Sequence, residues 1–401
     1  MAKAQRVALI GAPDTWTVTG ADYLPVEPAE EFLQFLRDDL ASPNTVKAYA
    51  AGLAAWWTLL EHTGTGWADF PTSLFGQHLA YLRTGDLPGV ARIGAPGVWL
   101  SPAAVQQRAA AVCSLYRYHA DAHGLVEPYR RLYGSTGKRG RSRYQPMLAG
   151  VAHGRERDRP IYTPRKGNRR TTPVLLPGQV RLVLDSCCVQ GEDGWSGSLA
   201  ALRDRLYFAV LAETGCRLGE GLSLKHCDFH IGAGGTPWID FEPRQDHPHG
   251  ARCKSANGRR VYVGDDLEAL YAEYVWQLVE AGADLAVEDL DRHFVFVNLV
   301  GGERFAPMRP EMVHKRVRSA TRKAQGRLPQ EWTAHWLRHT HATALLLSGV
   351  QPHVVMRRLG HLDVQTTTGT YGWVTEDAEL RSVAQWKNYV AGWKGLHDGA
   401  E

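Results

Sequence analysis

One stretch limits the folds open to this chain. From Gly134 to Pro173 it carries Lys138, Arg139, Arg141, Arg143, Arg155, Arg157, Arg159, Arg165, Lys166, Arg169 and Arg170 against only Glu156 and Asp158, with few apolar residues. A segment of that composition buries too little apolar surface to offset the entropy of ordering it, so no core forms there. The chain has 401 residues, and what lies on the two sides of this segment is enough for two bodies with sizeable cores. The expected division is an arm at 1–20, a helical domain at 21–133, a basic linker at 134–173, a second domain at 174–375 and a tail helix at 376–401.

The first block reads as all helical from Val26. Glu27, Glu30 and Glu31 sit where a helix start favours negative charge, and Phe32, Phe35 and Leu36 follow at helical spacing. In SPNTVKAYAAGLAAWWTLLEHTG, Ser42 or Asn44 is placed to cap and Gly64 to close, with Val46, Tyr49, Leu53, Trp56, Trp57 and Leu60 on one apolar face. TSLFGQHLAYLRTG reads as a third, shorter helix, and LSPAAVQQRAAAVCSLYRYHADAHG opens with Ser101 as cap and Pro102 at the first helical position. Residues 1–20 show no such stripe and read as a loose arm.

In the second block, PGQVRLVLDSC, LRDRLYFAVLAETGCRLGEGLSL, MRPEMVHKRVRSATRKAQG and QPHVVMRRLGH read as helices. PWIDFEP and RRVYVGDD read as short strands, with RHFVFVN extended. The tail AELRSVAQWKNYVAGWKG puts Val383, Trp386, Tyr389, Val390 and Trp393 on one face. That face either covers its own domain's core or docks on a neighbouring protomer.

Net charge is +4 and the pI about 8.7, which permits a nucleic-acid partner without requiring one. The clustering in the linker is more specific. Lys138, Arg139, Arg141, Arg143, Arg169 and Arg170 are candidates to track a phosphate backbone, because grouped cations gain affinity by releasing DNA counterions. No apolar run reaches the roughly 18 residues of a membrane span. The six cysteines form no C-x-x-C pair, which points to a reducing cytoplasm, not a disulfide framework.

Four patches could carry chemistry: Arg217 and Glu220 in ETGCRLGE, Lys254 in RCKSANGRRV, His335 and Arg338 in TAHWLRHTHATALLLSG, and His361 and Tyr371 in RRLGHLDVQTTTGTYG. His335 and His339 have the i, i+4 spacing of a zinc protease. Trp336 stands where the glutamate base belongs, and Arg338 would repel a cation. His226, Cys227, His230, His247, His249 and Cys253 follow no standard metal spacing. GAGG at 232–235 lacks the Lys-Ser/Thr of a phosphate loop. No metal and no cofactor is therefore expected.

Arginines suit a different task. A guanidinium forks onto two phosphate oxygens at any working pH, and two of them can stabilise the charge that grows on a phosphodiester under attack. A tyrosine hydroxyl, helped by positive charge and a nearby histidine base, can be the attacking group. His335 and Arg338 fall at the start of a helix, where backbone N–H groups and the dipole favour an anion. The apolar run from Ala342 to Leu347 behind them would fix their aim.

In this order the patches resemble the tyrosine recombinase, or phage-type integrase, family. TGCRLGE resembles its first box, HWLRHTHAT its H-x-x-R box, and LGH with Tyr371 its last. NTVKAY and the helix after Ser101 resemble its core-binding domain, so that the likeness runs from about Val26 to Val374. The resemblance implies a mainly α fold: an N-terminal helical core-binding (SAM-like) domain and a C-terminal helical catalytic domain with a small antiparallel β-sheet. It implies Tyr371 as nucleophile, Arg217, Arg338 and His361 on the phosphate oxygens, Lys254 as acid, His335 as proton acceptor and Glu220 as support for Arg217. It also implies double-stranded DNA as partner, four protomers on two sites, room for accessory DNA-bending or directionality proteins, and a nucleoid-associated place in the cell. A topoisomerase-like nicking and resealing enzyme, and a DNA-binding protein with a decayed site, are the alternatives; a metalloprotein is a distant third. His339 and His341 read as structural or as supports behind the site residues.

Overall fold

The computed structural model describes residues 1–9, 12–90, 100–133, 160–162, 172–192, 194–232, 234–253 and 258–361. The chain divides into two compact units, 1–170 and 171–401. The basic segment from Lys138 to Arg143, Arg169 and Arg170, and the tail helix expected over 376–401, lie outside the described residues.

The first unit begins with a correction. Where a loose arm is expected over 1–20, β1 (Lys3–Leu9) and β2 (Ala12–Thr19) pair antiparallel, Lys3 opposite Thr19. Thr15, Thr17 and Thr19 are β-branched and alternate with Trp16 and Val18, a period-2 pattern that suits a half-buried strand. The hairpin is held by burial: Val18 is wholly inside and Ala2 nearly so, and the Thr58 hydroxyl donates to the Ala2 carbonyl at 3.3 Å.

Five helices follow: α1 (Glu27–Asp38), α2 (Pro43–Thr63), α3 (Thr72–Thr84), α4 (Pro102–His123) and α5 (Val126–Tyr133). Ser42, not Asn44, caps α2, its Oγ accepting the Thr45 N–H at 3.2 Å. Gly64, at φ 63°, ends it. Ser101 caps α4 in the same way at 3.3 Å. Of the face expected on α2, Val46, Leu53, Trp56, Trp57 and Leu60 are buried and Tyr49 is half-buried. Gly52 lets α2 approach α4 closely, because a Cβ there would stand 2.9 Å from the Ala111 Cβ. The core gathers around Trp56, whose ring meets Phe70 edge-on at 5.3 Å. The Trp56 N–H donates to the Tyr116 hydroxyl at 3.0 Å, which in turn donates to the Trp67 carbonyl at 2.6 Å, so this aromatic core leaves neither polar tip unpaired.

The second unit is mainly helical. It opens with α6 (Pro177–Asp185), a small pairing of β3 (Gln190–Gly191) with β4 (Gly194–Trp195), then α7 (Leu199–Thr214) and α8 (Leu218–Leu222). A 3-10 turn at His226–Asp228 leads into the antiparallel sheet of β5 (Phe229–His230), β6 (Trp238–Phe241) and β7 (Arg259–Tyr262), in that order. The two strands expected from PWIDFEP and RRVYVGDD are β6 and β7, with Phe241 opposite Arg259. The expected extended run RHFVFVN makes single bridges, Phe294 to Lys225 and Val297 to Pro307, and fills the core. Then come α9 (Asp265–Glu280), α10 (Ala283–Ala286), α11 (Pro310–Lys323), α12 (Ala334–Leu347) and α13 (Pro352–Leu359).

Helix α7 is buried on nearly every side, with α9 and α12 packed on it. It carries Arg203 and Asp204 into that interior as a pair, Nη2 to Oδ1 at 2.5 Å, and the same guanidinium donates to the Val297 carbonyl at 2.7 Å. A charge so deep is tolerable only when paired and hydrogen-bonded.

Candidate active site

The turn between α7 and α8 is the hub. Gly215 sits there at φ 64°, and a Cβ on it would come within 2.7 Å of the His341 ring and 2.8 Å of Leu359. Only glycine lets α12 and the end of α13 close on this turn. Two residues on, Arg217 occupies the N-cap of α8, and the Glu220 carboxylate folds back to it. The Arg217 backbone N–H donates to Glu220 Oε2 at 2.9 Å and its Nη1 to Oε1 at 2.6 Å. The Glu220 side chain is wholly buried, while 35% of the Arg217 side chain remains exposed. One side of the guanidinium is therefore held by the protein and the other is open to a ligand.

Arg338 lies one turn into α12 and is 2% exposed. Its Nη1 donates to the Gly215 carbonyl at 2.7 Å and its Nη2 to the Leu359 carbonyl at 2.8 Å. One side chain thereby ties the first arginine's turn to the C-terminal end of α13. Gly360, at φ 67°, ends α13, and the His361 N–H donates back to the Met356 carbonyl at 3.0 Å. This glycine cap aims the chain so that His361 feels Arg338, Arg217, Glu220 and Arg259. His335, in the first turn of α12, feels Arg338 and Arg217, and its ring meets that of His339 at 4.4 Å.

The electrostatics follow from burial beside fixed cations. Burial, then Arg338 and Arg217, pushes His361 down to about 4, and the same causes lower His335. His339 falls to about 3 through burial, His335, Arg338 and His361. Burial and the neighbouring cations thus favour the neutral form of all three imidazoles. Burial alone would raise Glu220, but Arg259, with the Arg217 N–H and charge, outweighs it and holds the carboxyl below its ordinary range.

The structure thus brings together Arg217, Glu220, His335, Arg338 and His361, five of the seven residues singled out in the sequence. Lys254 and Tyr371 lie outside the described residues. Two arginines that no sequence pattern marked also belong to the surroundings. Arg358 reaches from α13 to His341, donating from Nε to its Nε2 at 3.0 Å, and to the carbonyls of Glu213 and Tyr262 at 3.0 and 2.9 Å. His341 donates from Nδ1 to the Ala212 carbonyl at 3.0 Å, which accords with the structural part expected of it. Arg259, a neighbour of Lys254 in sequence, salt-bridges Glu220 from Nη2 at 2.6 Å.

The histidines and cysteines between 226 and 253 have other partners. His226 bonds the Tyr271 hydroxyl at 2.8 Å and His230 pairs with Asp240 at 3.0 Å. Among the described residues, the group whose donor atoms lie close enough to share a metal is Glu31, His119 and His123, in the first unit. There His123 pairs with Glu31, and a His119 ring nitrogen bonds the Pro28 carbonyl at 3.0 Å.

A mainly helical body with a small antiparallel sheet, holding two arginines and two histidines around one turn, defines a tyrosine recombinase. The chain belongs to the phage integrase family, whose model matches residues 174–377. It is 26% identical over 375 residues to transposase A from transposon Tn554 of Staphylococcus aureus, spanning 92% of this chain and 93% of that one. It is also 26% identical over 338 residues to the tyrosine recombinase XerC of Rhodospirillum centenum, spanning 82% and 76%. Among solved structures, the XerH site-specific recombinase in a post-cleavage complex with palindromic difH substrate superposes with a TM-score of 0.56. The identity is 18%, and the match covers 89% of this chain and 84% of that one.

Proposed function

We propose that this chain is a site-specific DNA recombinase of the integrase or transposase type, acting through Tyr371. The observation that carries this is the convergence of Arg217 and Arg338 on one turn. One is clamped by Glu220 with its outer face open, and the other is fixed by two carbonyls. Neutral histidines stand beside both.

The Tyr371 oxygen attacks the scissile phosphorus, its proton passing to His335. The P–O bond to the 5′ oxygen breaks as the 3′-phosphotyrosyl bond forms, and Lys254 protonates the leaving oxygen. Arg217, Arg338 and His361 hold the non-bridging oxygens, where preorganised charge acts most strongly in the transition state. A 5′-hydroxyl from a second duplex then reverses the step and frees Tyr371. The phosphodiester energy is kept in the covalent link, so the exchange needs no ATP.

The first unit acts as the core-binding domain and residues 134–173 as a basic strap along the DNA backbone. Helix α11 adds cations: Lys315, Arg318 and Arg322 line a cleft of about 490 Å³ with Thr321 and Gln330. Four protomers act on two sites, with accessory DNA-bending or directionality proteins as further partners. Over nearly its whole length the chain is similar to a transposase, which favours strand exchange over nicking and resealing.

The test uses wild-type and Tyr371→Phe protein on DNA fragments spanning the gene's own neighbourhood. SDS-resistant adducts with wild type alone, whose sequenced ends mark one position, are expected. Retention of DNA by both proteins without any adduct would replace this reading with that of a binding protein.

A further inference from the structure

Arg259 is a buried cation with an unusual set of neighbours. It leaves the strand β7, its side chain 5% exposed, and its guanidinium lies over the Phe241 ring at 4.5 Å. Its Nη2 holds Glu220 Oε2 at 2.6 Å, and its Nε donates to the Arg358 carbonyl at 3.0 Å. Its Nη1 packs against Gly360, where a Cβ would stand 2.9 Å away. That Nη1 is buried and has no hydrogen-bond partner among the described residues. Leaving a buried donor unpaired is costly, and the places that accept the cost call for an explanation.

The charges supply one. Glu220 is a single negative charge clamped between two guanidiniums, with Arg217 on Oε1 and Arg259 on Oε2. If Glu220 faced Arg217 alone, the pair would be neutral and Arg217 would offer a phosphate little net field. With Arg259 on the other oxygen, the trio carries one surplus positive charge. Arg217, the more exposed of the two cations, presents it outward. The same guanidinium joins three segments: the strand β7, the α8 box, and the turn before His361.

We propose that Arg259 is a positioning residue of the recombinase site, sharing Glu220 so that Arg217 keeps its charge for the scissile phosphate and holding the β7 strand against the His361 turn. The proposal rests on the strand-exchange reading above, and its test separates the two. His361 is a reporter, faced by Arg338 from α12, Arg217 and Glu220 from the α8 box, Arg259 from β7, and His339.

Three variants are compared with wild type: Arg259→Lys, Arg259→Met, and Arg259→Met combined with Glu220→Gln. The last also removes the carboxylate charge, so that the partly exposed Arg217 is no longer neutralised by Glu220. Single-turnover adduct formation, DNA affinity, and NMR titration of His361 in the DNA-free protein are the readouts.

Arg259→Met slows adduct formation by about tenfold or more and changes DNA affinity far less. It also raises the His361 titration, because a neighbouring cation is gone and Glu220 is less shared. Arg259→Lys keeps both near wild type, and the double variant recovers much of the rate lost in Arg259→Met. A folded Arg259→Met with wild-type rate and titration overturns the proposal. So does a double variant as slow as Arg259→Met alone, which would make Arg259 a packing residue. If wild type forms no adduct, the strand-exchange reading fails, and an unchanged His361 titration in Arg259→Met then overturns the positioning as well.

Discussion

Around Trp56 the first unit buries rings: Phe70, Phe75 and Tyr116 meet that indole at 5.3 to 6.3 Å, and the polar tips of the rings are satisfied. Around α7 the second unit buries charge: Arg203, Asp204, Arg205, Glu220, Asp228, Arg259 and Arg338 are all inside. Among the described residues of the first unit, no arginine, lysine, aspartate or glutamate is buried to that degree. A stable scaffold is built most economically from apolar contacts, since a buried ion pair seldom gains more than its desolvation costs. On the proposed reading, part of that cost, at Glu220, Arg259 and Arg338, serves cations whose positions are fixed before a phosphate arrives.

The contrast can be broken at several points. The largest effect is expected from Arg338→Ala. It removes a preorganised cation, for which a loss of about 10²–10³ in the rate of covalent adduct formation is the expected scale. It also strips the Gly215 and Leu359 carbonyls of their donor, at about 1–3 kcal/mol each. Single-turnover cleavage and denaturant unfolding read the two separately, and a stable variant with wild-type cleavage would end the comparison.

In the first unit, Trp56→Ala should cost about 3–5 kcal/mol of stability, read from the denaturant midpoint. A cost near zero would mean that the ring cluster does not hold that unit.

Acid should weaken the second unit through its site. His361 has a folded value of about 4 against 6.5 unfolded. Between those values the unfolded chain binds a proton that the folded chain refuses, so stability is full above pH 6.5 and falls toward pH 4. Glu220, lowered in the fold, adds stability above its unfolded value that is lost as pH falls through the folded one. Both shifts run the same way, and His361→Gln should flatten the upper part of the fall in a pH series of melting temperatures.

The first unit has its own exception in His78. It is fully buried, has no hydrogen-bond partner for either ring nitrogen among the described residues, and is pushed down to about 3 by burial and Arg108. His78→Leu should raise stability by about 1 kcal/mol and weaken its decline below pH 6.5. A loss instead would show that this imidazole has a partner and that the first unit, too, depends on a polar group. The smallest change is Ser42→Ala, which should cost about 1 kcal/mol through the lost cap on α2; circular dichroism melts are sensitive enough to read it.

Local rules made much of this legible. Ser42, Gly64 and Ser101 mark helix ends through their own side chains or backbone freedom, and they do so in the structure. The ordered Arg, His-x-x-Arg and His patches could be read because each is a short motif on one element. The hairpin at the N-terminus was missed because only two or three turns of alternation signal it. The Thr15–Thr19 run, with Trp16 and Val18 between threonines, was the available clue. The run at 294–297 could be read as extended, but its lack of a regular strand partner could not.

The sequence by itself determined most of the helices, the composition break over 134–173, and the residue types proposed for a phosphate. Those are consequences of periodicity, capping and charge, which act over a few residues. Only the tertiary structure decided that Glu220 would be shared with Arg259, 39 positions away. It alone set Arg338 to span Gly215 and Leu359, and gave Arg358 and His341 to each other. Electrostatic partnership in a buried site depends on distance and desolvation in three dimensions, and neither is written in the spacing of residues along the chain.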